Sequence, residues 1–485
     1  MITNKFNFDN MFTDIFHRYS DRTLFQCDSG SIFKYSAVLD LSLRTAIKDA
    51  RGRLVFCLCS NVPGALIGYL GLVTAGAVPV MLSATINSSH LLELLKRYRP
   101  AYVWLPDART QELIGAHSVL TGWEYSLIAF NEQENFQIND SLALLMSTSG
   151  STGSPKLVRI SHENVLSNAQ AISDYLGLTS DEKPITTLPP NYTYGLSILH
   201  SHLLNGCEIA LTNRTMLDGK FWEFLKNSRA SSLGGVPYHY EMMLKLKFVE
   251  KDLPELRTLT QAGGRLPPSL VSKYASHCAS RRMRFFVMYG QAEATARMSF
   301  LAPEKALFKS DSIGQPVPGG RMWLEDEAGK VLQEVGQTGQ LVYQGKNVCM
   351  GYAESAQDLS KSDEFQGIVR TGDMARRDSD GDYYIVGRLK RFLKFFGHRV
   401  NLQDIEDDLQ KLGYSIACVG IDDQLDVYLS KGTSASAKLL KNKIINKFKL
   451  PPSSVRVHMV NDLPRNEAGK IQYAKLSQMT AESLL

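Results

Sequence analysis

A stretch of nineteen residues without a charged side chain, Gly64 to Leu82, constrains the fold more than any other segment. Its length approaches that of a membrane-spanning helix. Proline and glycine divide it, however. Pro63 suits the first turn of a helix, and Gly76 lies where that helix would end. Pro79 falls inside the apolar run Ala77 to Leu82. We therefore predict a buried helix that leads into a buried strand, which is half of a βαβ unit.

Short apolar runs and helical patterns alternate on both sides of this stretch. Strands are predicted at Arg53 to Leu58, Ala101 to Trp104 and Ser126 to Phe130. A helical pattern occupies His90 to Arg97. Such alternation is typical of an α/β fold, so we predict a large N-terminal domain with mainly parallel sheets covered by helices.

Beyond about residue 310 the pattern changes to short strands separated by glycine-containing turns, at Arg321 to Glu325, Gly339 to Tyr343 and Tyr383 to Val386. This pattern predicts a β-rich subdomain over about 310–387. An acidic helix pattern at Asp404 to Gln410 and a helix around Ser434 to Phe448 follow. We predict an N-terminal domain at 1–387, a hinge at 388–390, and a small mobile α+β C-terminal domain at 391–485.

Composition excludes several classes of protein. The charge balance is 54 minus 49, or +5, which leaves no basic footprint for nucleic acid. With 44% hydrophobic residues the chain can bury a large core. Its seven cysteines show neither a disulfide framework nor zinc spacing, which favours buried thiols and a cytoplasmic location. Met1 to Phe16 lacks the pattern of a signal peptide, and we expect no transmembrane segment.

The densest functional signal is Ser147 to Lys156, which follows an apolar strand pattern at Leu142 to Met146. Hydroxyl side chains interleaved with glycine allow backbone amides to approach an anion, and Lys156 adds a cation. The P-loop pattern is not met, because Leu157 follows the lysine where Ser or Thr is required. A serine- and glycine-rich segment alone is more often a linker. The strand before it and the Pro-Lys after it favour a phosphate-binding loop.

The chain resembles the adenylate-forming superfamily, which includes acyl-CoA synthetases, coumarate-CoA ligases, luciferases and peptide-synthetase adenylation domains. Thr148 to Lys156 resembles the phosphate loop of that superfamily. Four further blocks follow in the same order: Tyr289-Gly-Gln-Ala-Glu293, Arg370-Thr-Gly-Asp373, Gly387-Arg388 with Gly397-His-Arg399 and Glu406, and Pro464-Arg-Asn-Glu-Ala-Gly-Lys470. The segment Phe12 to Leu24 also looks like the opening helix of the family.

The resemblance implies that a carboxylate attacks the α-phosphate of ATP, giving an acyl-adenylate and pyrophosphate, and that a thiol then takes the acyl group. Opposed anions in the first step require cations and oriented donors. By this resemblance, Glu293 would bind Mg²⁺, Asp373 and Arg388 the ribose, and Lys470 the substrate carboxylate and α-phosphate. Lys390 would be the hinge residue. The remaining nucleotide contacts would come from Thr148, Ser149, Gly150, Ser151, Thr152, Gly153, Lys156, Gly263, Gly264, Tyr289 and Gly290.

The resemblance also indicates the substrate pocket, with walls at Tyr192, Tyr194, Val236 and Tyr238, of which Tyr238 fits plain core packing equally well. No aspartate occurs in Pro189 to Gly195, where adenylation domains for α-amino acids usually carry one. An ordinary α-amino acid is therefore disfavoured. We expect an aromatic or medium-chain carboxylic acid.

Three departures from the family pattern keep alternatives open. Ala292 replaces a threonine, Leu157 replaces a glycine, and Phe396 stands where many relatives carry a basic residue near the CoA tunnel. The leading hypothesis is an acid-thiol ligase that uses CoA. A second is an enzyme that loads a separate acyl or peptidyl carrier protein, which Phe396 leaves open. A third is a degenerate, non-catalytic nucleotide binder, suggested by Ala292.

Overall fold

The structure is a computed structural model, and it describes residues 8–131, 136–147, 156–395, 398–465 and 471–482. These residues contain fourteen α-helices: α1 Phe8–Arg18, α2 Ser36–Ser42, α3 Thr45–Lys48, α4 Pro63–Thr74, α5 Ser88–Tyr98, α6 His162–Leu176, α7 Thr193–Leu204, α8 Gly219–Asn227, α9 Pro237–Lys245, α10 Pro268–Ser280, α11 Pro303–Ala306, α12 Leu402–Lys411, α13 Ser434–Phe448 and α14 Tyr473–Glu482.

The same residues contain twenty-six strands: β1 Thr23–Cys27, β2 Ile32–Lys34, β3 Leu54–Cys59, β4 Val78–Ser83, β5 Tyr102–Pro106, β6 Ala116–Gly122, β7 Tyr125–Phe130, β8 Leu142–Ser147, β9 Leu157–Ser161, β10 Pro184–Ile185, β11 Ile209–Leu211, β12 Ser232–Gly235, β13 Thr258–Gln261, β14 Arg284–Tyr289, β15 Ser299–Leu301, β16 Gln315–Pro316, β17 Arg321–Glu325, β18 Thr338–Gln344, β19 Tyr352–Ala353, β20 Ile368–Arg377, β21 Tyr383–Arg388, β22 Phe392–Phe395, β23 His398–Asn401, β24 Ile416–Ile421, β25 Gln424–Ser430 and β26 Val455–Val460.

The uncharged stretch folds as predicted into a buried helix and a buried strand, α4 and β4. Trp104 of β5 packs against α4 and donates its indole N–H to the carbonyl of Gly64 at 2.9 Å. A Cβ at Gly68 would collide with that indole ring, so the helix can approach the sheet closely only with glycine there. Full burial of an aromatic side chain of this kind stabilises a fold by roughly 2–3 kcal/mol.

Two large sheets belong to the first compact unit, which holds residues 8–147, 156–322 and 343–369 where the structure describes them. One has eight strands in the order β19-β9-β8-β4-β3-β5-β7-β6. Its centre, from β8 to β5, is parallel, whereas β5 to β7 and β8 to β9 are antiparallel. Both edges are therefore built from antiparallel pairs around a parallel core.

The other sheet has nine strands in the order β16-β15-β14-β13-β12-β10-β11-β1-β2. The six strands from β14 to β1 are parallel, and the outer pairs at each end are antiparallel. Helices connect the parallel strands, as β-crossover-β connections require. The prediction of mainly parallel sheets covered by helices is confirmed.

The second compact unit holds residues 323–342 and the described residues from 370 onward. It contains most of a four-stranded sheet, β17-β18-β20-β21, together with the two-stranded sheet β22-β23 and the three-stranded sheet β24-β25-β26. The smaller α+β C-terminal part is confirmed. This unit runs continuously through residues 388–390, so the division into two compact units does not fall at the predicted hinge. The predicted domain boundaries stay a prediction.

The opening helix expected within Phe12 to Leu24 is present but ends before the segment does. Helix α1 ends at Arg18, a turn follows at residues 19–22, and strand β1 begins at Thr23 within the segment Phe12 to Leu24. Strand β1 pairs in parallel with β11, where Phe25 lies opposite Ile209 and is fully buried. Leu24 and Phe25 are buried as part of this sheet, and this burial stabilises the strand more than a longer helix α1 would.

Two further expectations concern the cysteines and membrane spans. All seven cysteines are buried free thiols. Within the residues that the structure describes, no helix has the length and apolarity needed to cross a membrane.

Candidate active site

Three neighbouring parallel strands end at the same edge of the nine-stranded sheet. Strands β12, β13 and β14 are aligned so that Gly235, Gln261 and Val287 lie side by side. Gly263 follows β13, and Tyr289 is the last residue of β14. Ligands of open α/β sheets bind outside the carboxyl ends of such strands. The sheet therefore brings two of the predicted nucleotide contacts, Gly263 and Tyr289, to one edge.

The last residue of β13 holds the loop that follows it, because Gln261 Nε2 donates a hydrogen bond to the carbonyl of Gly264 at 2.9 Å. Gly263 has a φ of +82°, which disfavours residues with a side chain. A Cβ there would also meet the hydroxyl of Tyr192 and a methyl group of Val236. The loop consequently presents backbone without a side chain beside two of the predicted pocket residues, Tyr192 and Val236.

Three of the four predicted pocket residues share one apolar cluster. Tyr194 and Val236 are buried in it, and the half-buried Tyr192 packs against it. The hydroxyl of Tyr194 donates to the carbonyl of Thr260 at 2.9 Å. Burial raises the pKa of the Tyr192 hydroxyl to about 12, so it stays neutral at physiological pH. Tyr238, on the first turn of α9, is 38% exposed and is not part of this cluster, so plain core packing does not describe it.

The predicted phosphate loop connects β8 to β9. These strands are antiparallel, and Ser147 pairs directly with Leu157. The fold thus fixes both ends of the loop next to each other. Leu157 is fully buried in this sheet, which gives a packing reason for leucine where the family pattern has glycine. The predicted phosphate contacts at Thr148, Ser149, Gly150, Ser151, Thr152 and Gly153 lie outside the described residues.

Lys156 lies at the end of this loop and keeps its side chain 40% exposed. Its Nζ lies 2.7 Å from Oε1 of Glu354 and 5.8 Å from the ring centroid of Tyr352. Tyr352 is the first residue of β19 and Glu354 follows its last residue, and β19 pairs with β9. Because the ion pair is exposed, its own contribution to stability is small. It places the lysine where a polyphosphate could displace the weakly held carboxylate.

Glu293 lies in a short 3₁₀ helix, Ala292–Ala294, that follows β14. Its Oε1 accepts a hydrogen bond from the hydroxyl of Tyr352 at 2.8 Å. Burial and the nearby Glu293 carboxylate hold the pKa of Tyr352 well above its usual range, so the tyrosine remains a donor. An oriented carboxylate oxygen is a ligand that Mg²⁺ accepts. Ala292 itself packs against the apolar core.

Gly290 shapes the turn between β14 and Glu293. A Cβ at this position would overlap the carbonyl of Ala296, whose φ of 111° is itself in the left-handed half of the map. The chain can therefore fold back under Glu293 only with glycine at position 290. The close approach of the Ala296 carbonyl therefore explains why glycine follows Tyr289.

The second unit holds the predicted ribose contacts. Asp373 of β20 and Arg388 of β21 are cross-strand partners, and Arg388 Nε lies 2.8 Å from Asp373 Oδ1. The backbone N–H of Asp373 donates to Thr371 Oγ1 at 3.0 Å. The carboxylate is 4% exposed and the arginine 65%. An acceptor-only group is thus held rigidly by its sheet, as two ribose O–H donors would need.

A buried charged network lies beyond the predicted hinge. Glu406 is 1% exposed and accepts from Arg391 Nη2 at 2.6 Å, from the backbone N–H of Cys418 at 2.6 Å and from the hydroxyl of Tyr473 at 3.0 Å. Arg391 follows the hinge position directly, and its guanidinium lies over the Tyr473 ring at 4.1 Å. The side chain of Lys390, together with Phe396 and Lys470, lies outside the described residues.

Sequence reasoning missed Tyr352, Glu354 and Arg297. The first two reach the site only because the two-residue strand β19 pairs with β9 about 195 residues earlier in the chain. No local pattern announces that pairing. Arg297 had a signal, since it is a lone cation within the small and apolar segment Ala294 to Phe300.

Parallel strands that end at a glycine loop and an oriented carboxylate form the kind of edge at which open α/β sheets bind nucleotides and other ligands. The chain belongs to the AMP-binding enzyme family, whose model matches residues 17–353. This membership confirms the predicted superfamily.

Individual proteins agree with the family assignment. The chain is 26% identical over 422 residues to 2-succinylbenzoate–CoA ligase of Geobacillus sp. (strain WCH70), covering 83% of each protein. It is also 26% identical over 446 residues to surfactin synthase subunit 2 of Bacillus subtilis (strain 168), covering 86% of this chain and 12% of that protein. O-succinylbenzoate coenzyme A synthetase from Bacillus subtilis, solved with AMP, has the same fold: its TM-score is 0.77 at 20% identity, covering 96% of this chain and 98% of that one.

These findings confirm the α/β fold class and an enzyme of the AMP-forming acid-thiol ligase type. They give no support to a degenerate, non-catalytic binder. The assignment of individual site residues stays a prediction, and so do the substrate and the acyl acceptor.

Proposed function

We propose that this chain activates a carboxylic acid with ATP and Mg²⁺ as an acyl-adenylate, releasing pyrophosphate, and then transfers the acyl group to the thiol of CoA, releasing AMP. The observation that carries the proposal is the joint placement of the glycine loop at Gly263, the Tyr352–Glu293 pair and Lys156 within one unit. The named activity of 2-succinylbenzoate–CoA ligase, matched over 83% of its length, supports CoA as acceptor.

The residues fit the nucleotide and its metal. Glu293 would hold Mg²⁺, because its carboxylate is oriented by a tyrosine that cannot ionise at neutral pH. When bound, the metal offsets phosphate charge and polarises a phosphoryl oxygen. Lys156 and the loop 148–153 would hold the polyphosphate, and Asp373 with Arg388 the ribose. Lys156 supplies the positive charge that a polyphosphate requires, and Asp373 supplies the acceptor oxygens that ribose hydroxyls require.

The first step brings an acid carboxylate to the α-phosphate, and Lys470 would neutralise both. Removing one preorganised donor of this kind commonly costs about 3 kcal/mol, or about a hundredfold in rate. The thiol approaches afterwards, so the lysine must be withdrawn first. Rotation about Lys390 would achieve this, since lids and hinges commonly separate such steps.

Loading of a carrier protein is the second candidate. The match to surfactin synthase subunit 2 extends over 86% of this chain, and Phe396 replaces a basic residue expected near a CoA tunnel. A cytoplasmic location remains a prediction.

Two measurements in series test the proposal. Exchange of labelled pyrophosphate into ATP is followed over a panel of carboxylic acids, and acid-dependent exchange is expected. The preformed adenylate is then offered CoA or a phosphopantetheinylated carrier protein, and thioester formation with CoA is expected. Transfer to the carrier but not to CoA would replace the first candidate by the second.

A further inference from the structure

Two arginine side chains among the described residues are almost completely buried, Arg159 at 0% and Arg297 at 1% exposure. Arg159 has an anionic partner, since its Nη2 lies 2.6 Å from Oε2 of Glu364. Arg297 has none in the described part of the chain. Because a buried charge without a counter-ion is costly, Arg297 needs an explanation that Arg159 does not.

The partners of Arg297 are all neutral. Its Nε donates to Ser197 Oγ at 3.2 Å, and its Nη1 donates to the hydroxyl of Tyr175 at 2.9 Å and weakly to Met288 Sδ at 3.4 Å. The guanidinium carbon lies 5.1 Å from the ring centroid of Tyr194. Nη2 donates to none of the described residues. One edge of the guanidinium is therefore left for a ligand.

The neutral partners are themselves arranged as acceptors. Ser197 Oγ donates its own hydrogen to the carbonyl of Tyr194 at 2.8 Å, and the Tyr175 hydroxyl donates to Met288 Sδ at 2.9 Å. Each oxygen consequently turns a lone pair toward Arg297. Tyr175 is fixed further by stacking on Phe300, with ring centroids 4.2 Å apart. This surrounding shell orients the guanidinium.

Arg297 lies at the apolar cluster that contains the predicted acid pocket. Tyr194 and Met288 are members of that cluster, and Tyr175 and Tyr192 pack against it. Arg297 is also only four residues beyond Glu293, on the chain that turns back under Gly290. A carboxylic acid whose reacting end is near Glu293 would extend its other end toward this cation.

We propose that Arg297 determines substrate specificity by binding a second anionic group, a carboxylate, at the far end of the acid that is activated. This inference rests on the proposed function and narrows its substrate class to dicarboxylic acids. A monoacid would leave the buried charge uncompensated, whereas a second carboxylate would form a charge-assisted pair with Nη2. Because Arg297 is 1% exposed, the aromatic side chains of the pocket must move aside as the acid enters.

The test uses pairs of acids with the same number of carbon atoms and one or two carboxylates: butyrate and succinate, valerate and glutarate, and 2-methylbenzoate and phthalate. Pyrophosphate exchange is measured for the wild type and for Arg297→Met. The matched control is Arg284→Met. Arg284 and Phe286 both belong to β14, and the guanidinium carbon of Arg284 lies 5.8 Å from the ring centroid of Phe286. The Arg284 side chain donates a hydrogen bond to the carbonyl of Leu176. Thermal stabilisation of each protein by each acid in the presence of AMP is recorded in parallel.

We expect the wild type and Arg284→Met to favour one diacid over its monoacid at least tenfold in kcat/KM. Arg297→Met should lose at least tenfold with that diacid and keep its activity with the monoacid. Equal losses with both acids, or a wild-type preference for monoacids, would overturn the inference. If Arg297→Met does not fold, Arg297→Lys replaces it, and retention of charge should preserve the sign of the preference. Thermal stabilisation of the wild type by a diacid, without pyrophosphate exchange with any acid, would support diacid binding at Arg297 and would overturn the proposed function.

Discussion

The hydroxyl of Tyr352 donates a hydrogen bond of 2.8 Å to Oε1 of Glu293, which fixes the carboxylate proposed to bind Mg²⁺. The tyrosine comes from β19, whereas the glutamate follows β14 of the other large sheet. The two large sheets of the first unit therefore meet at this pair. Its strength depends on the tyrosine staying protonated, which burial and the neighbouring carboxylate ensure.

Tyr352→Phe removes only that hydroxyl. We expect the concentration of Mg²⁺ needed for half-maximal exchange to rise and the rate to fall about tenfold, since one oriented hydrogen bond is worth about 1 kcal/mol or somewhat more near a charge. Tyr343→Phe is the matched control, because its hydroxyl donates at 2.8 Å to Asn347 instead. An unchanged Mg²⁺ dependence in Tyr352→Phe would contradict the role given to the pair.

Asp373→Asn tests the ribose contact. The carboxylate is held by Arg388 at 2.8 Å, and its loss should raise the KM for ATP by about 10- to 100-fold, as hydrogen bonds to charged groups contribute roughly 1.5–3 kcal/mol. The variant should also stop discriminating between ATP and 2′-deoxy-ATP or 3′-deoxy-ATP. Glu325→Gln changes another carboxylate–arginine pair of the same sheet, with Arg370 at 2.8 Å, and should leave the KM unchanged. Undiminished discrimination by Asp373→Asn would remove Asp373 from the site.

Lys390→Pro tests the hinge. Residues Leu389–Arg391 form a short 3₁₀ turn, and proline would restrict φ at its centre. We expect adenylate formation to be spared and thioester formation to fall at least tenfold, measured as separate half-reactions. Lys390→Ala removes the same charge without restricting the backbone, and it should leave transfer largely intact. Equal losses of both half-reactions in the proline variant would argue against a rotation.

Buried histidines predict a loss of stability in acid. Burial lowers the pKa of His200 to about 3 and that of His202 to about 4, against about 6.5 when unfolded. Above pH 6.5 both states are neutral and the stability is fully present. Below pH 6.5 these histidines become protonated in the unfolded chain but stay neutral in the folded chain. The free energy of unfolding therefore falls by about 1.4 kcal/mol for each unit by which the pH is lowered, for each histidine.

Urea unfolding between pH 7.5 and 5 measures this effect. His200→Gln should reduce the slope of unfolding free energy against pH by about one proton, because glutamine does not titrate. His17→Gln, at an exposed position, should leave the slope unchanged. A slope that is identical in His200→Gln and the wild type would show that His200 does not titrate as described.

Local punctuation explains why much of the fold could be predicted. Pro63 and Gly76 mark both ends of α4, and Leu142 to Met146 reads as a strand because it is continuously apolar. Leu24 escaped prediction because its strand forms by pairing with β11, far along the chain. Periodicity contains no information about such a partner.

The candidate site divides in the same way. Gly263 and Gly290 could be identified from the family pattern, and the structure adds their physical reason in collisions with Tyr192 and with the Ala296 carbonyl. Tyr352 and Arg297 could not be identified, since their roles depend on β19 pairing and on burial. Substrate choice follows from such tertiary contacts more than from motifs.

Pyrophosphate exchange by Lys470→Ala tests the central claim, adenylation of a carboxylic acid, most directly. The wild type should exchange label into ATP only when a suitable acid is present, and Lys470→Ala should lower that exchange about a hundredfold or more. Lys475→Ala, an exposed lysine of α14, serves as the control and should retain it. Acid-independent exchange, absence of exchange with every acid in the wild type, or full activity in Lys470→Ala would contradict the account.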